Sequence, residues 1–87
     1  MIRREVIIKN TTGLHLRPAG IFCNTASNYK CRIMFEYGGT ISNAKSVLSI
    51  LGACVKKGDS IVLICDGEDE EEGMEAMMRE IENGLGE

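Results

Sequence analysis

The sequence predicts an α+β fold. It is an open-faced sandwich in which a four-stranded, mainly antiparallel sheet carries three helices on one face, in the order β-α-β-β-α-β-α. Three observations predict it. Two runs, near residues 4–9 and 31–37, alternate apolar and polar residues, and a third, 60–65, is almost continuously apolar. Between and after these runs, apolar residues recur at helical spacing. Gly38-Gly39 is a two-residue hairpin signal in the middle of the chain. Strands interrupted by helices around one central hairpin leave the helices covering a single face of the sheet.

In the first strand, Val6 and Ile8 share one side, with Glu5 and Lys9 on the other. The turn Asn10-Thr11-Thr12-Gly13 follows. A helix starts between His15 and Pro18, because proline is tolerated in a helix's first turn. Ala19, Phe22, Cys23 and Ala26 form its apolar face, and Asn28 ends it. In the second strand Ile33, Phe35 and Tyr37 face one way, and Arg32, Met34 and Glu36 the other. Thr40 to Asn43 returns beside it. Ser46 is the N-cap of a short apolar helix containing Val47, Leu48, Ile50 and Leu51, with Gly52 at its end. Lys57-Gly58-Asp59 turns the chain into the run Ile61-Val62-Leu63-Ile64, a central strand. Met74, Met77, Met78, Ile81 and Leu85 line one face of the last helix, a spacing that marks core methionines. The acidic run Glu68 to Glu72 lies at the start of that helix, where its dipole favours negative charge.

Composition narrows the function. The 87 residues are expected to form a single domain, 1–87. The formal net charge is −3, which argues against nucleic-acid binding. No apolar run is long enough to span a bilayer, so membrane insertion is not expected. The N-terminal residues lack the long apolar core of a secretory signal, and a cytoplasmic location is expected. Cys23, Cys31, Cys54 and Cys65 show neither C-x-x-C pairs nor paired metal spacing. They are expected to be reduced core thiols. No metal or cofactor is expected.

The segment that carries chemistry is Gly13-Leu14-His15-Leu16-Arg17-Pro18-Ala19. His15, the only histidine, sits at a turn-to-helix junction with Arg17 two residues on. Neutral imidazole is a good nucleophile. The first N–H groups of a helix lack intrahelical partners and can hold an anion, helped by the dipole. Arg17 can pair with phosphate oxygens, and Pro18 stiffens the helix start without removing a needed donor. Together they suit a phosphoryl group bound covalently to histidine. On these residues alone, a histidine that merely caps the helix is an equal alternative.

GLHLRPA resembles the active-site signature of the HPr family, phosphocarriers of the bacterial phosphoenolpyruvate-dependent sugar phosphotransferase system. Asn43-Ala44-Lys45-Ser46-Val47-Leu48 resembles the family's second motif, and Lys57-Gly58-Asp59 also fits. The similarity runs over essentially the whole chain. It implies that Enzyme I donates a phosphoryl group to Nδ1 of His15, that Arg17 stabilises its charge, and that IIA components of sugar permeases receive it. It implies a relay protein that is used and regenerated, not an enzyme. The context of Ser46 and the terminal Gly84-Leu85-Gly86-Glu87 resemble Gram-positive members. In these an HPr kinase/phosphorylase modifies the serine and a catabolite-control transcription factor reads it. Leu16, Gly20, Val47, Leu48 and Leu51 fall where the family docks its partners.

Three positions depart from the family pattern. Gly20 replaces a common alanine, at a cost of ~1 kcal/mol in helix propensity. Leu16 is bulkier than usual, and Cys54 stands where glycine is usual. Two rivals to the phosphocarrier remain. One is a regulatory relative acting through phosphorylated Ser46 as a corepressor. The other is a small binding module.

Overall fold

A computed structural model describes residues 1–87. Its elements are β1 (Ile2–Ile7), α1 (Leu16–Ser27), β2 (Arg32–Tyr37), β3 (Thr40–Asn43), α2 (Val47–Ala53), β4 (Ser60–Asp66) and α3 (Glu70–Glu82). The element order is the expected one. The strands lie in the order β1-β4-β2-β3, and every neighbouring pair is antiparallel.

The alternation in the strands sets the layers. Ile33 and Phe35 of β2, and Ile61, Leu63 and Cys65 of β4, are buried on one face. They join Ala19, Phe22 and Ala26 of α1 and Met74, Met77 and Ile81 of α3 in one core. The Phe22 and Phe35 rings meet edge to face, 5.6 Å apart, the geometry their quadrupoles favour. The hairpin turns on Gly38 and Gly39, whose φ angles are 60° and 81°. Positive φ at both central residues matches the twist of the flanking strands.

Several boundaries shift for physical reasons. β1 spans Ile2–Ile7 instead of 4–9, because its register on β4 runs from Ile2 opposite Cys65 to Ile7 opposite Ser60. Ile8 then bonds to the turn, its N–H donating to the Asp59 carbonyl and its carbonyl accepting from Gly58. Gly52 does not end α2 but lies inside it; the left-handed terminal residue is Cys54, at φ 58°. Leu85 belongs to the core but not to α3. The helix closes with Gly84 N–H donating to the Ile81 carbonyl and Leu85 N–H to the Glu80 carbonyl. That closure folds a fully buried Leu85 back onto the core.

The acidic run does more than offset a dipole. The Asp69 carboxylate accepts from the Lys30 and Cys31 amides, both at 2.8 Å, tying the start of α3 to that of β2. Glu70 accepts from the Gly67 amide and pairs with the N-terminal ammonium at 3.1 Å. The Lys30 amide chiefly holds Asp69 below the usual carboxylate range, and the Gly67 amide does the same for Glu70. Their stabilisation is complete above the ordinary carboxylate pKa and is lost as pH falls through the lowered values.

All four cysteines are free. Burial, then the neighbouring Cys31, pushes the Cys65 thiol up to about 12. Cys31 and Cys65 are core thiols as expected and Cys23 is half-buried, but Cys54 is exposed. The short α2 ends on it, and its left-handed backbone lies at the surface.

Candidate functional site

The loop before α1 is pinned to the segment after α2. Leu14 N–H donates to the Val55 carbonyl at 3.0 Å. Gly13, at φ 64°, presses on the same segment. A Cβ there would strike the Val55 carbonyl oxygen and come within 2.8 Å of the Lys56 Cα. Glycine is therefore required both by conformation and by space.

His15 follows as the N-cap residue of α1, in extended conformation. Its carbonyl accepts from the Ala19 amide at 2.7 Å. Its side chain makes no capping bond and is exposed. The imidazole thus occupies a capping position without capping. The amides of Leu16 and Arg17 precede the first intrahelical bonds, so neither has an intrahelical partner. Pro18, third in the helix, has no N–H to leave unsatisfied. Two amides and the positive end of the helix dipole therefore stand beside an unengaged imidazole, an arrangement that favours an anion.

Arg17 is exposed. The three ion pairs of the molecule involve only the N-terminus and Arg3 as cations, so Arg17 is unpaired. The C-terminal segment packs behind it. A Cβ on Gly86 would come within 3.2 Å of the Arg17 Nε and would strike Ile21. Glu87 reaches the turn before His15, where its carboxylate accepts from the Thr12 hydroxyl at 2.8 Å and more weakly from the Thr12 amide at 3.4 Å. The hydroxyl bond is the main reason its pKa falls below the usual range.

A cavity of about 210 Å³ opens beside the imidazole. Thr12, His15, Leu51, Cys54 and Lys56 are among its lining residues. The largest cavity, about 570 Å³, lies elsewhere, between β1 and α3, under Arg4, Arg79, Glu71, Glu75 and Glu82. It is an open groove between charges of both signs and shares no residue with the His15 cavity. No three His, Cys, Asp or Glu side chains converge as metal ligands.

Ser46 is the N-cap of α2, and its hydroxyl accepts from the Ser49 amide at 3.3 Å. Leu16, Val47 and Leu48 are 72%, 40% and 79% exposed, so three apolar residues at the starts of the two adjacent helices face solvent. Leu51 is half-buried; it packs on the core while bordering the cavity. Gly20 is half-buried with open space where a Cβ would stand. Sequence reasoning did not find Val55, Lys56 or Glu87, because folding brings them from remote segments to the loop that carries Thr12 and His15. The turn residues at 10–13 were the only local signal.

The family model described as the PTS HPr component phosphorylation site matches residues 2–83. The HPr-like protein Crh of Halalkalibacterium halodurans is 38% identical over 82 residues, covering 94% of this chain and 98% of its own. The crystal structure of HPr-C-His from Thermoanaerobacter tengcongensis superposes with a TM-score of 0.97 at 40% identity, over 100% of this chain and 98% of that one. The crystal structure of Crh, described as the catabolite repression containing protein of Bacillus subtilis and as a swapped dimer, matches at TM-score 0.76. It is 31% identical over 95% of each chain. A family match over residues 2–83 and a relative 38% identical over 94% of the chain establish that this chain belongs to the HPr family of the bacterial phosphotransferase system, whose members are phosphocarriers and not catalysts.

Proposed function

We propose that this chain is a cytoplasmic, single-domain phosphocarrier that accepts a phosphoryl group on His15 from phosphorylated Enzyme I and passes it to IIA components of sugar permeases. The observation that supports it best is the exposed His15 imidazole, which does no capping although it stands at the cap. In the transfer, the Nδ1 lone pair attacks phosphorus, an N–P bond forms, and the bond to the donor breaks with its electron pair leaving on the donor. Charge on the transferring group spreads over three oxygens. The amides of Leu16 and Arg17 and the Arg17 guanidinium meet that charge without reorganising. Pro18 holds the first turn rigid. The same geometry serves the reverse step, in which the acceptor attacks and His15 leaves. Leu16, Val47 and Leu48, with Leu51 and Gly20 at the edge, form the docking surface for both partners.

Ser46 supports a second, regulatory layer: phosphorylation by an HPr kinase/phosphorylase and recognition by a catabolite-control transcription factor. The identity to the HPr-like protein Crh favours it. A chain acting only through Ser46 would have no use for His15, so we place regulation beside the relay and not instead of it.

Incubation with phosphoenolpyruvate and a bacterial Enzyme I tests the proposal. One phosphate should appear, stable in alkali and lost in acid, and His15→Ala should carry none. Phosphorylation of His15→Ala under these conditions would remove the assignment. No transfer to the native chain, with ATP-dependent phosphate on Ser46, would leave the purely regulatory function.

A further inference from the structure

Arg17 is the only cation that the family motif supplies to the site, and the fold brings a second. Lys56 lines the cavity beside His15, together with Thr12 and Cys54. Its backbone is fixed from three directions. Its amide donates to the Asp59 carboxylate at 3.0 Å, and that carboxylate also accepts from the Tyr37 hydroxyl at 2.5 Å. Gly13 lies against its Cα. Leu14, the neighbour of His15, is bonded to Val55, the neighbour of Lys56. The side chain itself is exposed and makes no ion pair. A lysine is a compact point charge on a flexible stem. Here its base is held at the cavity that the imidazole also lines, while its charged end is felt by Asp59 but makes no ion pair. The cavity, about 210 Å³, is smaller than the usual range for small-molecule sites and suits a group the size of a phosphoryl.

We propose that Lys56 is a second cation of the phosphoryl site, closing over the group on His15 from the loop after α2 while Arg17 holds it from the helix. The inference rests on His15 being the phosphoacceptor. It makes Tyr37 and Asp59 positioning residues, because they hold the turn that carries Lys56. Lys57 supplies an internal control. It is adjacent, equally charged and exposed, but it does not line the cavity.

The test must separate a cation acting on the phosphoryl group from one acting on a docking protein. Phosphoramidate does this, since it delivers phosphate without a protein partner. The N–P bond to His15 forms, the P–N bond of the donor breaks, and ammonia leaves. Lys56→Gln should slow phosphorylation of His15 about tenfold with phosphoramidate and also with Enzyme I. Lys56→Arg should restore most of the rate, and Lys57→Gln should match the native chain with phosphoramidate. Melting temperatures should stay together. A native rate for Lys56→Gln with phosphoramidate overturns the inference, and so does a loss confined to Enzyme I, which would make Lys56 a docking residue. A lowered melting temperature that alone accounts for the slow rate also overturns it. Failure of the native chain to take phosphate from either donor would instead refute the assignment of His15.

Discussion

α1 and α2 begin alike and use their beginnings differently. Each starts after an extended N-cap residue, His15 in one and Ser46 in the other. The Ser46 hydroxyl accepts from the Ser49 amide and so serves the helix. The His15 side chain makes no capping bond. One helix start is closed by its own cap, and the other is left open to an anion. A side chain released from structural work can change covalent state without disturbing the fold. One that caps a helix can change without cost to the helix only into another group that caps it. A phosphoryl group accepted on His15, as proposed, would sit where folding demands least.

The comparison breaks if the open start proves structural. Arg17→Ala should slow phosphotransfer at least tenfold, about 1.4 kcal/mol on the barrier. Its effect on stability should stay within about 0.5 kcal/mol, as for other exposed residues without partners. Stopped-flow or quench kinetics with Enzyme I, set beside chemical denaturation, measure the two. A large loss of stability with little change in rate would mean that packing on Gly86 is the main role of Arg17.

A charge at the closed start sharpens it. Ser46→Asp keeps a good N-cap and places a negative charge beside Val47 and Leu48, so the fold should hold. An acidic partner docking across Leu16, Val47 and Leu48 would be repelled. The Enzyme I-dependent rate on His15 should fall severalfold relative to Ser46→Ala, with the melting temperature kept. Equal rates would remove the electrostatic coupling, and a slow rate with a collapsed melting temperature would relocate it to stability.

Removal of the two cap side chains is a quieter contrast. Ser46→Ala should cost about 1 kcal/mol, the usual value of a serine N-cap. His15→Ala, at the equivalent position of the longer helix, should cost no more than about 0.5 kcal/mol. Urea unfolding of both proteins decides. If His15→Ala costs as much as Ser46→Ala, the imidazole is a cap after all.

What the sequence made legible follows from how local each feature is. Alternation in Ile33-Met34-Phe35 and spacing in Met74, Met77 and Ile81 report directly which face is buried, so the layers could be read. Ser46 and Pro18 act within one turn of a helix, and their roles could be read too. Lys56 and Glu87 meet the loop that carries Thr12 and His15 only because the 10–14 loop is bonded to Val55 and the C-terminal segment folds back over Leu85. No spacing in the chain encodes that meeting. The end of α2 was misplaced for another reason. A glycine is the ordinary signal for a helix stop, but burial of Ile50 and Val55 on either side fixes how far the helix turns. The left-handed position then falls on Cys54, two residues beyond Gly52.

Helix ends give the smallest and most discriminating test. α3 ends through Gly84, which takes φ 84° without strain, whereas α2 ends through Cys54 at φ 58°. A residue with a Cβ in this region costs roughly 1–2 kcal/mol. Glycine would relieve that cost but lose roughly 0.5–1 kcal/mol to the greater freedom of its unfolded chain. The Cys54 side chain offsets little. It is exposed, and its thiol lies 3.7 Å from the Leu51 carbonyl, a weak bond. The balance favours Cys54→Gly by about 0.5–1 kcal/mol, read as a higher urea midpoint at unchanged slope. Cys54→Ala removes the thiol but keeps the Cβ, so it should gain nothing. If the alanine variant gains as much as the glycine variant, the thiol and not the backbone is the source of the strain. If Cys54→Gly loses stability, the left-handed end of α2 is held by contacts that the exposed cysteine makes, and the contrast with Gly84 falls.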